Sequence, residues 1–162
     1  MTGERHAFEY AVLRVVPRVD RGETMNAGIL LYCRPLKYLG ARVFLDAARL
    51  RALDPSADVA GIERALHAAA DVCGPDAPPG PLGLEDIGRR FRWLTAPRSA
   101  VVQPGPVHTG LTRDPDAEAQ HLLELLVLPA APGQQQPENP TENPTENPTG
   151  DPVSGTDPAD SP

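Results

Sequence analysis

Two apolar runs near the start of the chain, FEYAVLRVV at residues 8–16 and AGILLYC at residues 27–33, constrain the fold more than any other feature. Neither run shows a polar face at a spacing of two residues. Each therefore predicts a β-strand that is covered on both sides. The polar stretch between them predicts a short loop that joins the two strands as antiparallel neighbours. Strands of this kind lie inside a sheet that other elements cover.

Capping residues and apolar spacing predict the remaining elements of the domain. They are a third strand over residues 38–45, a helix from Asp46 to Leu53, a helix that starts at Asp54-Pro55 and ends at Gly74, a helix with Leu84, Ile87, Phe91 and Leu94 on its buried face, a short strand over residues 99–103, an irregular loop that holds His108 and Thr109, and a helix from Asp114-Pro115 to Pro129. We therefore expect one α+β domain over residues 5–128, with an antiparallel sheet of about four strands packed by three or four helices.

Residues 129–162 differ sharply in composition from the rest of the chain. They contain nine Pro, three ENPT repeats and six of the 22 acidic residues, but no Lys or Arg. This segment predicts a disordered, acidic, Pro-rich tail. Most of the formal charge of -7 belongs to it, which leaves the domain nearly neutral. A nearly neutral domain makes nucleic acid an unlikely partner, because binding to the phosphate backbone needs clustered excess positive charge.

The sequence carries few marks of a cofactor site or of a membrane protein. Cys33 and Cys73 are not arranged as CxxC, and no HExxH is present, so we expect buried structural thiols and no metal. No phosphate-binding glycine loop or dinucleotide motif predicts a cofactor. No apolar run is long enough to cross a bilayer. The expected location is the cytoplasm.

Polar residues around the first loop and near residue 100 are candidates for a functional site. In an enzymatic interpretation, Glu23 is a general base and His108 carries a proton near neutral pH. Asn26 would then orient a ligand. Arginines would hold a phosphate or carboxylate, which suits a small hydrolase or transferase acting on phosphate esters; the arginines available are Arg14, Arg18 and Arg98.

A structural interpretation explains the same residues without catalysis. Glu23 then pairs with Arg14 or Arg18, because an unpaired charge inside a strand is costly. Glu9 and Asp20 are the other acidic partners near Arg14 in sequence. Asn26 would satisfy backbone groups of the turn, and Arg98 with Ser99 would tie the late strand to the loop. We commit to no catalytic residue, and both interpretations stay open.

The helix near residue 90 carries a second candidate surface. On a helical wheel Trp93, the only Trp of the chain, lies away from the buried face and between Arg89 and Arg90. Trp and Arg together are typical of protein-binding surfaces. The structural alternatives are that Trp93 folds back onto the loop at Pro97, or that this helix is covered on both sides.

Several short motifs together resemble the bacterial domain-of-unknown-function family 3037. They are FEY at residues 8–10, ETMNAG at residues 23–28, APRS at residues 96–99, HTG at residues 108–110 and DP at residues 114–115. Glu23, Asn26 and Gly28 match the E-x-x-N-x-G element of that family. The resemblance covers residues 8–128 and brings no established activity. Members are often encoded beside a HipA-like kinase-fold protein, which implies such a protein as a partner.

Overall fold

The computed structural model describes residues 3–75 and 86–130. In these two ranges the chain forms β1 (His6–Val15), β2 (Met25–Cys33), β3 (Tyr38–Val43), α1 (Ala47–Leu53), α2 (Val59–Cys73), α3 (Ile87–Leu94), β4 (Val102–Thr112) and α4 (Pro115–Leu126). All strand pairs are antiparallel, and the sheet has the order β3-β2-β1-β4. The predicted α+β class, with a four-stranded antiparallel sheet and three or four helices, is confirmed.

Helices cover both faces of the sheet, and each face has its own core. On one face, α1, α2 and α3 pack their apolar side chains onto β1 and β2; Leu50, Leu66 and Phe91 are fully buried there. On the other face, α4 packs Leu122 and Leu123 over Ile29, Leu31 and Phe8. This arrangement explains why neither β1 nor β2 has a polar face, as the sequence predicts, because both are inner strands.

A β-bulge interrupts the pairing of β1 with β2. Leu13 pairs with Gly28 and Arg14 with Asn26, so Ala27 has no partner on β1. Simple alternation would place Ala27 beside Ile29, but the bulge turns it toward the α1–α3 core. A Cβ atom added to Gly28 would lie 2.9 Å from the Arg42 carbonyl oxygen. The interior Gly28 is thus explained by the bulge and by close backbone approach.

The start of α2 differs from the prediction. Asp58, rather than Asp54, is the N-cap, and its side chain accepts a hydrogen bond from Gly61 N at 2.9 Å. Asp54 instead ends α1, where its N–H donates to Leu50 O, and its carboxylate accepts from Ser56. Two Asp residues four positions apart offer two helix starts, and the sequence alone does not choose between them.

The strand β4 is longer than predicted and contains the residues assigned to an irregular loop. It runs through Pro104, Gly105 and Pro106, and His108 and Thr109 pair with β1. Proline lacks the N–H that a central strand needs, but an edge strand needs donors on one side alone. The pairing also shifts between Ala11 and Leu13, where β4 has one residue more than β1. The prediction was wrong because composition does not show that this strand lies at the edge.

Two sequence predictions fall outside the described residues. These are the disordered tail, described for Pro129 and Ala130 alone, and Leu84 of the α3 stripe. No helix in the described part of the chain has the length and apolar character needed to span a membrane.

Candidate functional site

Charged side chains in the loop between β1 and β2 neutralise one another in neighbouring pairs. Arg18 donates to Asp20 at 3.0 Å and Arg21 donates to Glu23 through Nε at 2.8 Å. The hydrogen bond from Arg18 lowers the pKa of Asp20. Backbone N–H groups of Arg21 and Gly22 donate to Arg18 O, and Gly22 has a φ of 69°, which closes a tight turn. This turn places each arginine beside an acid two residues away.

The pairing of Glu23 corrects the sequence interpretation. Glu23 was expected to pair with Arg14 or Arg18, but its partner is Arg21. Arg14 makes no ion pair with any described residue, and its guanidinium lies against Gly105, 3.1 Å from the position of an added Cβ. Arg14 is partly buried near the end of β1.

The side chain of Asn26 bonds to α4 and not to the backbone of the turn. Its Nδ2 donates to Leu126 O at 3.0 Å. That carbonyl is in the last turn of α4, where carbonyl groups lack intrahelical donors. The prediction that Asn26 satisfies the backbone of the turn names the wrong partner, because its side chain donates to a carbonyl group of α4. Asn26 therefore fixes the C-terminal end of α4 against the sheet.

The arginines of α3 have separate roles. Arg90 donates to Val72 O and Gly74 O at 3.1 and 3.2 Å, which satisfies the C-terminal carbonyls of α2. Arg89 lies 3.7 Å from Asp86, the N-cap of α3. Arg92 makes a bidentate pair with Glu9 on β1, at 2.8 and 2.9 Å. The helix therefore ties α2 and β1 together through its arginines.

The arginine in contact with Trp93 is Arg98. Its Cζ lies 4.7 Å from the centre of the Trp93 ring, and Nη2 donates to the Trp93 carbonyl oxygen. Its Nε donates to Ala96 O at 3.4 Å. Trp93 is 49% exposed, so the outward orientation predicted for it is confirmed. The chain turns back after α3 and lays Arg98 on the ring.

An apolar groove of about 500 Å³ lies beside Trp93, between α2 and β4. Its lining is almost entirely apolar, and Arg98 is the one charged residue among the described residues that line it; the others are Leu13, Ala65, Ala68, Ala69, Val72, Trp93, Leu94, Ala100, Val101, Val102 and Pro104. A second cavity of about 410 Å³ shares Ala65 and Val101 with it and continues to Asp58 and Gly61. The groove therefore runs along most of α2.

In the described part of the chain, the helices on this face lie mainly over β2 and β3 and leave much of β4 uncovered. The α3 helix packs against β2 and β3, and α2 packs mainly against β3. The residues of β4 on this face are consequently accessible: Val107 is 39% exposed and Leu111 is 62% exposed. The sequence does contain a signal for the groove: a second row of small and apolar residues on α2 lies beside the core row of Ile62 and Leu66. This second row is Gly61, Ala65, Ala68 and Val72. The predicted packing face of α2 consists of the core row alone.

Among the cavities formed by the described residues, Arg98 and Glu23 line different ones, and neither Asn26 nor His108 lines either of these two. His108 is exposed on β4 and its ring lies 5.2 Å from that of Tyr10, on the face that α4 covers. Arg98 lines the groove on the opposite face, and Ser99 beside it is exposed. No group of three His, Cys, Asp or Glu side chains in the described ranges is arranged to hold a metal ion. The enzymatic interpretation therefore gains no joint site from these residues.

Comparison with known proteins gives a family. Neither a curated protein nor a solved structure matches this chain. A family model described as a protein of unknown function (DUF3037) matches residues 10–127, which span both faces of the sheet from β1 to the end of α4. The chain therefore belongs to the DUF3037 family.

Proposed function

We propose that this domain is a cytoplasmic accessory protein that binds a protein partner through the groove beside Trp93. The exposure of Trp93 carries the proposal. A large aromatic side chain that is 49% exposed above an apolar groove leaves a contiguous surface that loses contact with water when a partner binds. Trp and Arg are also the residues that contribute most often to binding energy at interfaces.

Arg98 adds charge to this surface. It makes no ion pair with any described acidic residue, and its hydrogen bonds go to backbone carbonyl groups. Stacking on Trp93 holds the guanidinium at the rim of the groove. A carboxylate of a partner would find Arg98 already ordered, which lowers the entropy cost of binding.

We further propose a HipA-like kinase-fold protein as the partner. Support comes from the family to which the chain belongs, whose members are often encoded beside such a protein. The groove supplies the contact surface that this association requires. Its apolar lining suits a protein segment better than a phosphate ester.

The test is binding of the purified full chain to the HipA-like protein, measured by calorimetry and by co-elution at micromolar concentration, with and without nucleotide. We expect Trp93→Ala to weaken binding by about 30-fold or more, as for a typical aromatic hot spot. Leu125→Ala is the matched control, because Leu125 is 66% exposed on α4, on the opposite face of the sheet. The control should bind as the unmodified chain does.

Two results would overturn the proposal in different parts. If the two proteins elute separately with and without nucleotide, the kinase-fold partner is wrong. If they bind but Trp93→Ala leaves the affinity unchanged, the partner contacts another surface. Melting curves of both variants show that each remains folded.

A further inference from the structure

The residues of α2 that line the groove are spaced symmetrically along the helix. Gly61, Ala65, Ala68 and Val72 are spaced by four, three and four residues, and all four line the groove or the cavity that continues it. At 100° per residue they form one face of α2, beside the buried row of Ile62 and Leu66. Because the spacing is the same in both directions, it matches that of a second α2 helix that runs antiparallel to the first.

Two charged residues flank this wall without partners in the described part of the chain. Arg64 and Asp71 lie next to each other on the helical wheel, on the solvent side of the wall, and both are exposed. Neither makes an ion pair with a described residue. They stand near opposite ends of the wall, seven residues apart.

We propose that a second copy of this chain occupies the groove, with the two α2 helices packed antiparallel across a two-fold axis. Ala65 of one copy then lies opposite Ala68 of the other, and Gly61 lies opposite Val72. The same arrangement brings Arg64 of each copy close to Asp71 of the other, so the charges are complementary twice. An isologous contact of this kind closes on itself and gives a dimer.

Both walls of the groove favour this occupant. The small side chains on α2 let a second helix approach closely, and Trp93 and Val101 on the other wall supply exposed apolar area. The inference rests on the proposed function in one respect, namely that the groove is a protein-binding surface. It adds that self-association covers the same surface, so the dimer must open before another partner binds.

The experiment is sedimentation equilibrium of the full chain across the micromolar range, with charge-reversal variants. The unmodified chain should dimerise. Arg64→Asp and Asp71→Arg should each raise the dimer dissociation constant by about tenfold or more, because like charges then face each other. The double variant should restore the dimer, since the reversed charges attract again. Arg34→Asp, an exposed change in the turn between β2 and β3, is the control and should leave the constant unchanged.

The outcomes separate this inference from the proposed function. A chain that stays monomeric throughout the range, or a dimer that ignores both single variants, overturns the α2 arrangement. If the monomer still binds the HipA-like protein through Trp93, the proposed function survives without the dimer. If the dimer forms and is restored by the double variant but no kinase-fold protein binds, the dimer stands and the proposed partner is wrong.

Discussion

The loop between β1 and β2 and the groove beside Trp93 are opposite kinds of surface. The loop is rich in charged residues, but each arginine in it has an acid two positions away. The groove is poor in charge, yet Trp93 and Val101 remain exposed within it. The charged side chains of the loop therefore pair with one another, whereas the groove leaves apolar surface in contact with water. Exposed apolar side chains therefore indicate a binding site better than a high density of polar residues does.

The buried face of α3 and the rim of the groove should respond very differently to truncation. Phe91 is fully buried and its ring stacks on Tyr32 at 5.4 Å. Phe91→Ala should lower the free energy of unfolding by about 3 to 5 kcal/mol, because it leaves a cavity in the core. Trp93→Ala, two residues away, should lower it by about 1 kcal/mol or less, as expected for a partly exposed residue. Urea denaturation measures both values.

Equal losses in the free energy of unfolding for Phe91→Ala and Trp93→Ala would contradict this prediction. Trp93 would then be a core residue and the groove a packing defect. Phe91→Ala could also prevent folding altogether. Phe91→Leu is the milder variant for that case, with an expected loss of about 1.5 kcal/mol.

Local patterns in the sequence predicted most of the fold. The two-sided apolar runs gave inner strands, and Asp46 and Asp114 marked the starts of α1 and α4 correctly. These features depend on residues close in sequence, where hydrogen bonds of the cap are formed within three positions. The start of α2 and the length of β4 depended on choices that neighbours do not decide. A Pro-Gly-Pro segment can be a loop or an edge strand, and the sheet order settles which.

The candidate site was predicted less well, for the same reason. The outward orientation of Trp93 followed from the helical wheel, but its partner Arg98 comes from the turn after α3. Glu9 pairs with Arg92, 83 residues away in sequence. No local pattern shows such contacts. The groove itself arises from which strands the helices leave uncovered, which is a property of the whole layer.

Substitutions of Asn26 and Thr24, at the end of the loop, should differ in their effect on stability because Asn26 bonds to α4 and Thr24 is solvated. Asn26→Ala removes the donor to Leu126 O and should lower the free energy of unfolding by about 1 to 2 kcal/mol. Thr24 is exposed, so Thr24→Ala should change it by about 0.5 kcal/mol or less. Chemical denaturation of both variants tests this. A larger loss for Thr24→Ala would mean that the loop itself, and not its contact with α4, carries the stability.

The carboxylate of Asp116 on α4 should account for part of the loss of stability at low pH. Hydrogen bonds from Arg42 and then from Tyr38 lower the pKa of Asp116 from 3.8. Burial raises the pKa of Tyr38 to about 12, so its hydroxyl remains a donor. Because the folded pKa of Asp116 is depressed, its stabilisation is present above the unfolded pKa and is lost as pH falls through the folded pKa.

The variant Asp116→Asn should therefore lose less melting temperature than the unmodified chain between about pH 6 and about pH 3. Glu118→Gln is the control, since Glu118 lies in the same first turn of α4 but makes no ion pair with a described residue. If both variants reduce the fall in melting temperature at low pH equally, the effect comes from the helix N-terminus and not from the contact of Asp116 with β3.

The smallest effect is expected at Glu23, where the two interpretations of the loop differ. Glu23 and Arg21 are 40% and 57% exposed, so solvent screens their attraction. Glu23→Gln should lower the free energy of unfolding by about 0.5 kcal/mol or less. A general base would instead lose turnover on a phosphate ester at unchanged melting temperature. Because Glu23 is held by Arg21 and His108 lies elsewhere on the sheet, we expect the small change in stability and no phosphatase activity in either protein. Measurable hydrolysis by the unmodified chain that Glu23→Gln abolishes would reverse the comparison, since the loop and not the groove would then carry the function.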